Sequence, residues 1–511
     1  MGASVFPIPP PVNPSNRYGY KLNPQRWLIF TASVLLSFVV GLYSTTLSAA
    51  KLQPAINNKN SYFCPNGGDC AYLDSILDGI RIFVFLVTAY PTVWFHEKYE
   101  LKKLFQVVSL CTSIGATLRI VVSIAVLPYV LRYVLIVMSQ IIIAAAQPGV
   151  ICTASGISQS WFPDYQRTII TSIILFSNIF GQLIPFAVLP ALFGIFNNSE
   201  QAIFITIHTV PLIFIVLAYA NVHVLRYSLP NYPPSASSTD SAQVVQRGHR
   251  FLREATFIIQ VFMFASLYGG LKFMIMWNHS FLCPKGHHLF GYIGTHTGLL
   301  LLSGLAGNVI MALAMDKIRK YKKAYRLSYA FTTFGIAAMA WVLQVREHSL
   351  ILLVATLSVG FFGIGSIGIM VETAMETVFP IHGIVVTGIL FTAGELYYGL
   401  LSVIAFFTKK EVVLTDYAGH QCGLVEFWDY AFSVEIVSLS LFTGFIVCLV
   451  GLNARRRRHD YEVAAKLLGF RVLNTRYANA PLPSIHNDFD EEDKLPKPIS
   501  NKVEIVLNDK K

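Results

Sequence analysis

With 511 residues, 54% of them hydrophobic and only 13% charged, and a mean hydropathy of +0.55, the chain lies far outside soluble globular averages and reads as an all-α, polytopic membrane protein. Its formal net charge of +11 does not point to nucleic acid, because the cations alternate between loops instead of forming one patch. The sequence has no Walker-type glycine-rich loop and no large soluble domain, which argues against ATP-driven transport and against an enzyme.

In chain order, residues 1–25 (with the run FPIPPPVNPSN) form a flexible arm. Twelve apolar segments are then long enough to span a bilayer: 27–49, 76–95, 104–127, 130–157, 168–194, 202–225, 253–279, 291–315, 325–345, 350–378, 382–407 and 427–452. They divide into a six-helix half at 26–226 and a second at 253–452, joined by a Pro/Ser-rich linker at 227–252 and followed by a tail at 453–511. If both termini are cytoplasmic, 29 Lys/Arg fall inside and 7 outside, with Arg81, Arg119 and Lys272 in spans. That bias sets the expected orientation.

Cys64, Cys70, Cys283 and Cys422 all fall in the loops assigned outside, where oxidised pairs are plausible. Cys64 with Cys70 is the local candidate and Cys283 with Cys422 the other; sequence does not choose the connectivity. The sequons at Asn197 and Asn278 lie on the same side. His208, His223, His296 and His382 have no mutual metal-ligand spacing, so neither metal nor cofactor is expected.

Residues 360–399 carry three carboxylates in apolar surroundings: Glu372, Glu376 and Glu395. Such a group costs about 2.5 kcal/mol or more at bilayer depth, so it usually faces a cavity or a partner. Glu395 falls near the midplane, in one layer with Tyr43, Gln147 and Tyr268, and is expected to meet a cationic substrate. Glu372 and Glu376, four apart on one helical face, suit a gate. Lys272 is expected to snorkel outward, and the run Arg455–Arg458 to lie against anionic lipid.

The two halves align at an offset of 217 residues, which sets Trp161-Phe162-Pro163 on Val378-Phe379-Pro380 and Asn178 on Glu395. Between the eighth and ninth segments, ALAMDKIRKYKK resembles the loop signature of the major facilitator superfamily, with Asp316 and Arg319 as gate residues. The first-half copy, WFHEKYELKK, has Tyr99 in the acidic position.

A closer likeness rests on GIMVETAMETVFP with GILFTAGE, on Tyr268-Gly269, on LAGNVIMALAMDKIRKYKK, and on the Ala-Gln-Pro, Trp-Phe and Ser-Asn-x-x-Gly elements of 146–181. Together these resemble the transporters related to the feline leukaemia virus subgroup C receptor, over about residues 26–452. The resemblance implies a major facilitator fold and a carrier of choline and ethanolamine, with haem also proposed. It places an aromatic enclosure completed by amides at Gln147 and Tyr268, with Tyr43 near the family's tryptophan and Glu395 replacing its second glutamine.

The expectation is thus a secondary transporter moving a small organic cation by alternating access in a plasma or endolysosomal membrane, with the substrate and membrane lipids as partners. A proton-coupled endolysosomal symporter and a non-transporting membrane receptor or sensor are the alternatives.

Overall fold

The computed structural model describes residues 22–49, 73–125, 127–196, 200–224, 230, 234–235, 237–238, 254–277, 281–282, 293–345, 349–411, 428–429, 431–452 and 456–469. Tyr18–Lys466 is one compact unit and is the body described below. Met1–Arg17 with Leu467–Lys511 is a second unit, in which only 467–469 are described.

The helices are α1 (Arg26–Ala49), α2 (Leu73–Ile124), α3 (Tyr129–Ile151), α4 (Thr153–Trp161), α5 (Arg167–Ile195), α6 (Glu200–Thr209), α7 (Leu212–Val224) and α8 (Ala255–Met276). They continue as α9 (Ile293–Ile318), α10 (Tyr321–Val342), α11 (Ser349–Ser358), a π-helical turn at Val359–Ile364, α12 (Gly365–Val378), α13 (Gly383–Thr408), α14 (Ala431–Gly451) and α15 (Arg457–Gly469). A two-residue ladder pairs β1 (Lys410–Glu411) with β2 (Trp428–Asp429), a small addition to the all-α expectation.

Among the described residues, ten helical stretches are long and apolar enough to cross a membrane. One of them contains two spans. A straight helix of the 52 residues of α2 would run ~78 Å, more than twice the ~30 Å hydrocarbon layer, and the chain breaks out of helical geometry at Glu100 (φ 67°, ψ 167°). Tyr321–Val342 completes the expected twelve; Lys322, Lys323 and Arg326 lower its hydropathy. The side chains that face outward are lipid-like: Phe83, Tyr90, Val216, Leu302 and Phe407 are all at least 65% exposed. An aqueous protein would not sustain that surface.

The packing of the halves repeats. α1 crosses α5, and α8 crosses α13, the corresponding pair in the second half. Both crossings are close because glycine sits at the contact: a Cβ on Gly181 would lie 2.0 Å from the carbonyl of Phe38, and one on Gly394 2.5 Å from the Tyr268 ring. Arg319 (φ 57°) and Glu100 are the described non-glycine residues with positive φ, and each sits in one of the two related loops.

Twelve spans put the start of α1 and the end of α14 on one side of the bundle. Trp27 of α1 meets Phe162 edge-on with ring centroids 5.6 Å apart, and Arg167, five residues later, lies 3.8 Å from Glu462 of α15. This is called the tail end below.

Candidate functional site

In the half of the bundle away from α15, three helices bring charge into the interior. Asp78 and Arg81 lie one turn apart on α2, Tyr268 and Lys272 one turn apart on α8, and Phe391, Glu395 and Tyr398 along one face of α13. Glu395 is completely buried, and Arg81 and Lys272 are at most 4% exposed. The Glu395 carboxylate accepts from the Tyr268 hydroxyl (3.1 Å) and the Lys272 ammonium at Oε1, and from Arg81 Nη1 (3.3 Å) at Oε2. Arg81 also donates to Asp78 Oδ1 from Nε (2.9 Å) and Nη2 (2.7 Å), and the Tyr398 hydroxyl donates to Asp78 Oδ2.

Two carboxylates thus face two cations, and the network is formally neutral. Its aromatic walls are close. Lys272 Nζ lies 5.7 Å from the Tyr268 ring centroid and 5.5 Å from that of Tyr398, and Arg81 lies 5.5 Å from Tyr398. Phe264, Tyr268 and Phe391 form a mutual cluster with centroids 4.8 to 5.6 Å apart. Beside Tyr268 and Lys272, between Gln182, Leu271, Met276 and Ile364, is a cavity of about 20 Å³. That holds a water but no organic molecule, so the site is closed around its own side chains.

The juxtaposition of Tyr268 with Glu395 agrees with the sequence reading, whereas three other expectations need correction. Lys272 does not snorkel; the cheapest place for its charge is the buried carboxylate one helix away. Glu395 is not a bare anion awaiting a substrate, since Arg81 and Lys272 already compensate it. Tyr43 packs in a different apolar cluster, with Leu42, Ile143 and Phe204; its hydroxyl donates to the His208 carbonyl (2.7 Å) and its own carbonyl accepts from Arg119 (2.6 Å). Gln147 is fully buried, and neither its amide oxygen nor its nitrogen is bonded.

Sequence reasoning missed Asp78 as a site residue and gave Arg81 no role. The available signal was an Asp and an Arg three apart inside an otherwise apolar segment.

At the tail end, a second set of buried charges closes the bundle. Asp316, at the end of α9, accepts from the backbone N–H groups of Thr168 and Ile169, 2.9 Å each, in the first turn of α5. Its partner is therefore a helix N-terminus and not a basic side chain. Arg319 pairs with Asp164 (3.1 Å) and contacts His459 (3.2 Å). Glu372 accepts from Thr171 (2.7 Å), and both it and Glu376 bind Arg458 at 2.7 Å.

Arg458 belongs to α15 and is 4% exposed, so the arginine run is not simply a lipid contact. Arg457 pairs with Glu254 (2.6 Å), His459 N–H donates to Glu376 (3.0 Å), and Tyr461 rests on Phe379 with centroids 5.1 Å apart. Glu462 accepts from the Ser237 N–H (3.0 Å), and Arg167 donates to Ser235, Ser237 and Ser238. Burial pushes the Glu462 carboxyl up, but the Arg167 charge and the serine hydrogen bonds outweigh it and hold it below its ordinary value. Glu372 and Glu376 thus obtain their counter-ion from the tail, a partner sequence reasoning had assigned elsewhere.

Cys64, Cys70, Cys283, Cys422, Asn197 and Asn278 lie outside the described residues. Among the described residues, Cys111, Cys152 and Cys448 are free thiols, and no three His, Cys, Asp or Glu side chains converge on a metal-sized centre.

No family model matches the chain. Solute carrier family 49 member A3 of Danio rerio is 24% identical over 388 residues, covering 75% of this chain and 79% of that protein. Choline/ethanolamine transporter FLVCR2 of Homo sapiens is 22% identical over 401 residues, covering 74% of this chain and 70% of that one. The proton:xylose symporter XylE, a solved major facilitator structure, superimposes with a TM-score of 0.61 at 12% identity, covering 86% of this chain and 98% of its own. The chain is thus a multi-pass membrane protein with the major facilitator superfamily fold, and it resembles the transporters related to the feline leukaemia virus subgroup C receptor.

Proposed function

We propose that the protein is a secondary transporter that moves a small organic cation of the choline or ethanolamine kind by alternating access. The observation that carries this reading is the pair of buried polar closures at opposite parts of the bundle, each joining one half to the other: Arg81 to Glu395, and Asp316 to the start of α5. A carrier needs two such closures, which open in turn around a site between them. The site adjoins the Glu395 closure and is aromatic: Phe264, Tyr268, Phe391 and Tyr398 offer ring faces, each worth roughly 0.5–2 kcal/mol to a desolvated ammonium. Gln147 offers unbonded amide groups suited to a hydroxyl. Glu372, Glu376, Asp316 and Arg319 serve as gate residues, and the Lys/Arg bias puts the tail end in the cytoplasm.

The test is flux in vesicles reconstituted with the whole chain and offered choline, ethanolamine, basic vitamins and haem in turn. Saturable uptake of one of the first two is expected. Binding without flux would instead identify a receptor or sensor, and flux of haem alone would overturn the organic-cation class.

A further inference from the structure

The position that an ammonium substrate would occupy, on the carboxylate of Glu395 and over the rings of Tyr268 and Tyr398, is occupied by the protein's own ammonium, that of Lys272. We infer that Lys272 is a tethered stand-in for the substrate, and that the transporter exchanges each incoming organic cation for the proton of this lysine. The inference rests on the organic-cation reading above and adds its coupling.

The reasoning is one of charge. Facing Lys272 are Asp78 and Arg81 from α2, Tyr268 from its own helix, Glu395 and Tyr398 from α13, and the uncharged Gln182 from α5. Asp78 and Glu395 balance Arg81 and Lys272, so a monocation entering the closed site would leave a buried net charge of one unit, which is strongly unfavourable in a membrane interior. One of the resident cations must give way. Arg81 cannot, because a guanidinium stays protonated and this one is held by Asp78 through two nitrogens as well as by Glu395. Lys272 can: a buried lysine loses its proton readily, and its flexible stem lets the neutral amine swing away toward the adjoining cavity, which it already lines. One N–H bond of the ammonium breaks, its electron pair stays on Nζ, and the proton leaves to water. The substrate's positive charge takes its place, and the site is neutral again.

Exchange of this kind carries no net charge. In vesicles clamped at an inside-negative potential, wild-type choline uptake should be accompanied by about one proton leaving per choline and should not respond to the potential. Lys272→Met removes the stand-in. It should move choline without proton counterflow and concentrate it about tenfold for each 59 mV of potential. Lys272→Arg keeps the charge and the fold but cannot release the proton, so it should lose choline uptake while retaining the wild-type unfolding midpoint. Wild-type choline uptake without proton counterflow overturns the inference alone, as does proton-coupled uptake by the Arg variant. Failure of the wild type and the Met variant alike to take up any amine overturns the organic-cation reading as well.

Discussion

Glu395 illustrates what burial demands of a single residue. With no exposure and three donors from two other helices, its carboxylate is stabilised only while Lys272 and Arg81 stay in place. Removing one member of such a buried pair typically costs about 3–5 kcal/mol, because the other charges are left uncompensated. Glu395→Ala should therefore unfold at a clearly lower temperature than wild type in lipid nanodiscs. Adding Lys272→Met should recover part of the loss, and strictly additive losses would show that the two side chains do not interact. The need for a partner at Glu395 was legible in sequence, since a carboxylate inside an apolar segment cannot stay unpaired. The identity of the partner was not: Arg81 lies 314 residues away along the chain, and only the packing of α2 on α13 brings them together.

At the scale of an element, α15 is the part least legible in sequence. A run of arginines after a final span reads as a topology signal whether it lies on lipid or turns back, and nothing in its composition separates the two. The structure separates them residue by residue. Arg457, 25% exposed, makes a rim pair with Glu254, worth about 0–1 kcal/mol, whereas Arg458 is buried between two carboxylates. Arg458→Gln should accordingly accelerate amide exchange in 371–378 and 457–462, while Arg457→Gln should leave it nearly unchanged. Equal effects from both would mean that α15 is held by general charge and not by the Arg458 seat.

At the scale of the whole molecule, the twelve spans and their order were legible because apolar length is a strong signal in a membrane chain. The two spans within α2 were legible as the separate segments 76–95 and 104–127; the residue at which the helix breaks, Glu100, was not, since no breaker residue announces it. The expected orientation rests on charge alone and is directly testable. In sealed, right-side-out vesicles, a cysteine placed at exposed Val463 should react with an impermeant thiol reagent only after permeabilisation, and one at Lys409 should react before it. The reverse pattern would invert the molecule in its membrane.

The seat of Arg458 also has a bearing on biosynthesis. The carboxylates of Glu372 and Glu376 are made 86 and 82 residues before the arginine that neutralises them, so every span is made while the tail end still lacks its counter-ion. A chain cut short after the last span would have all its membrane spans but lack α15, leaving Glu372 and Glu376 without their cation. Neutralisation of this end thus waits on the synthesis of α15, and a product lacking that helix would be recognisable by two buried carboxylates left without a cation.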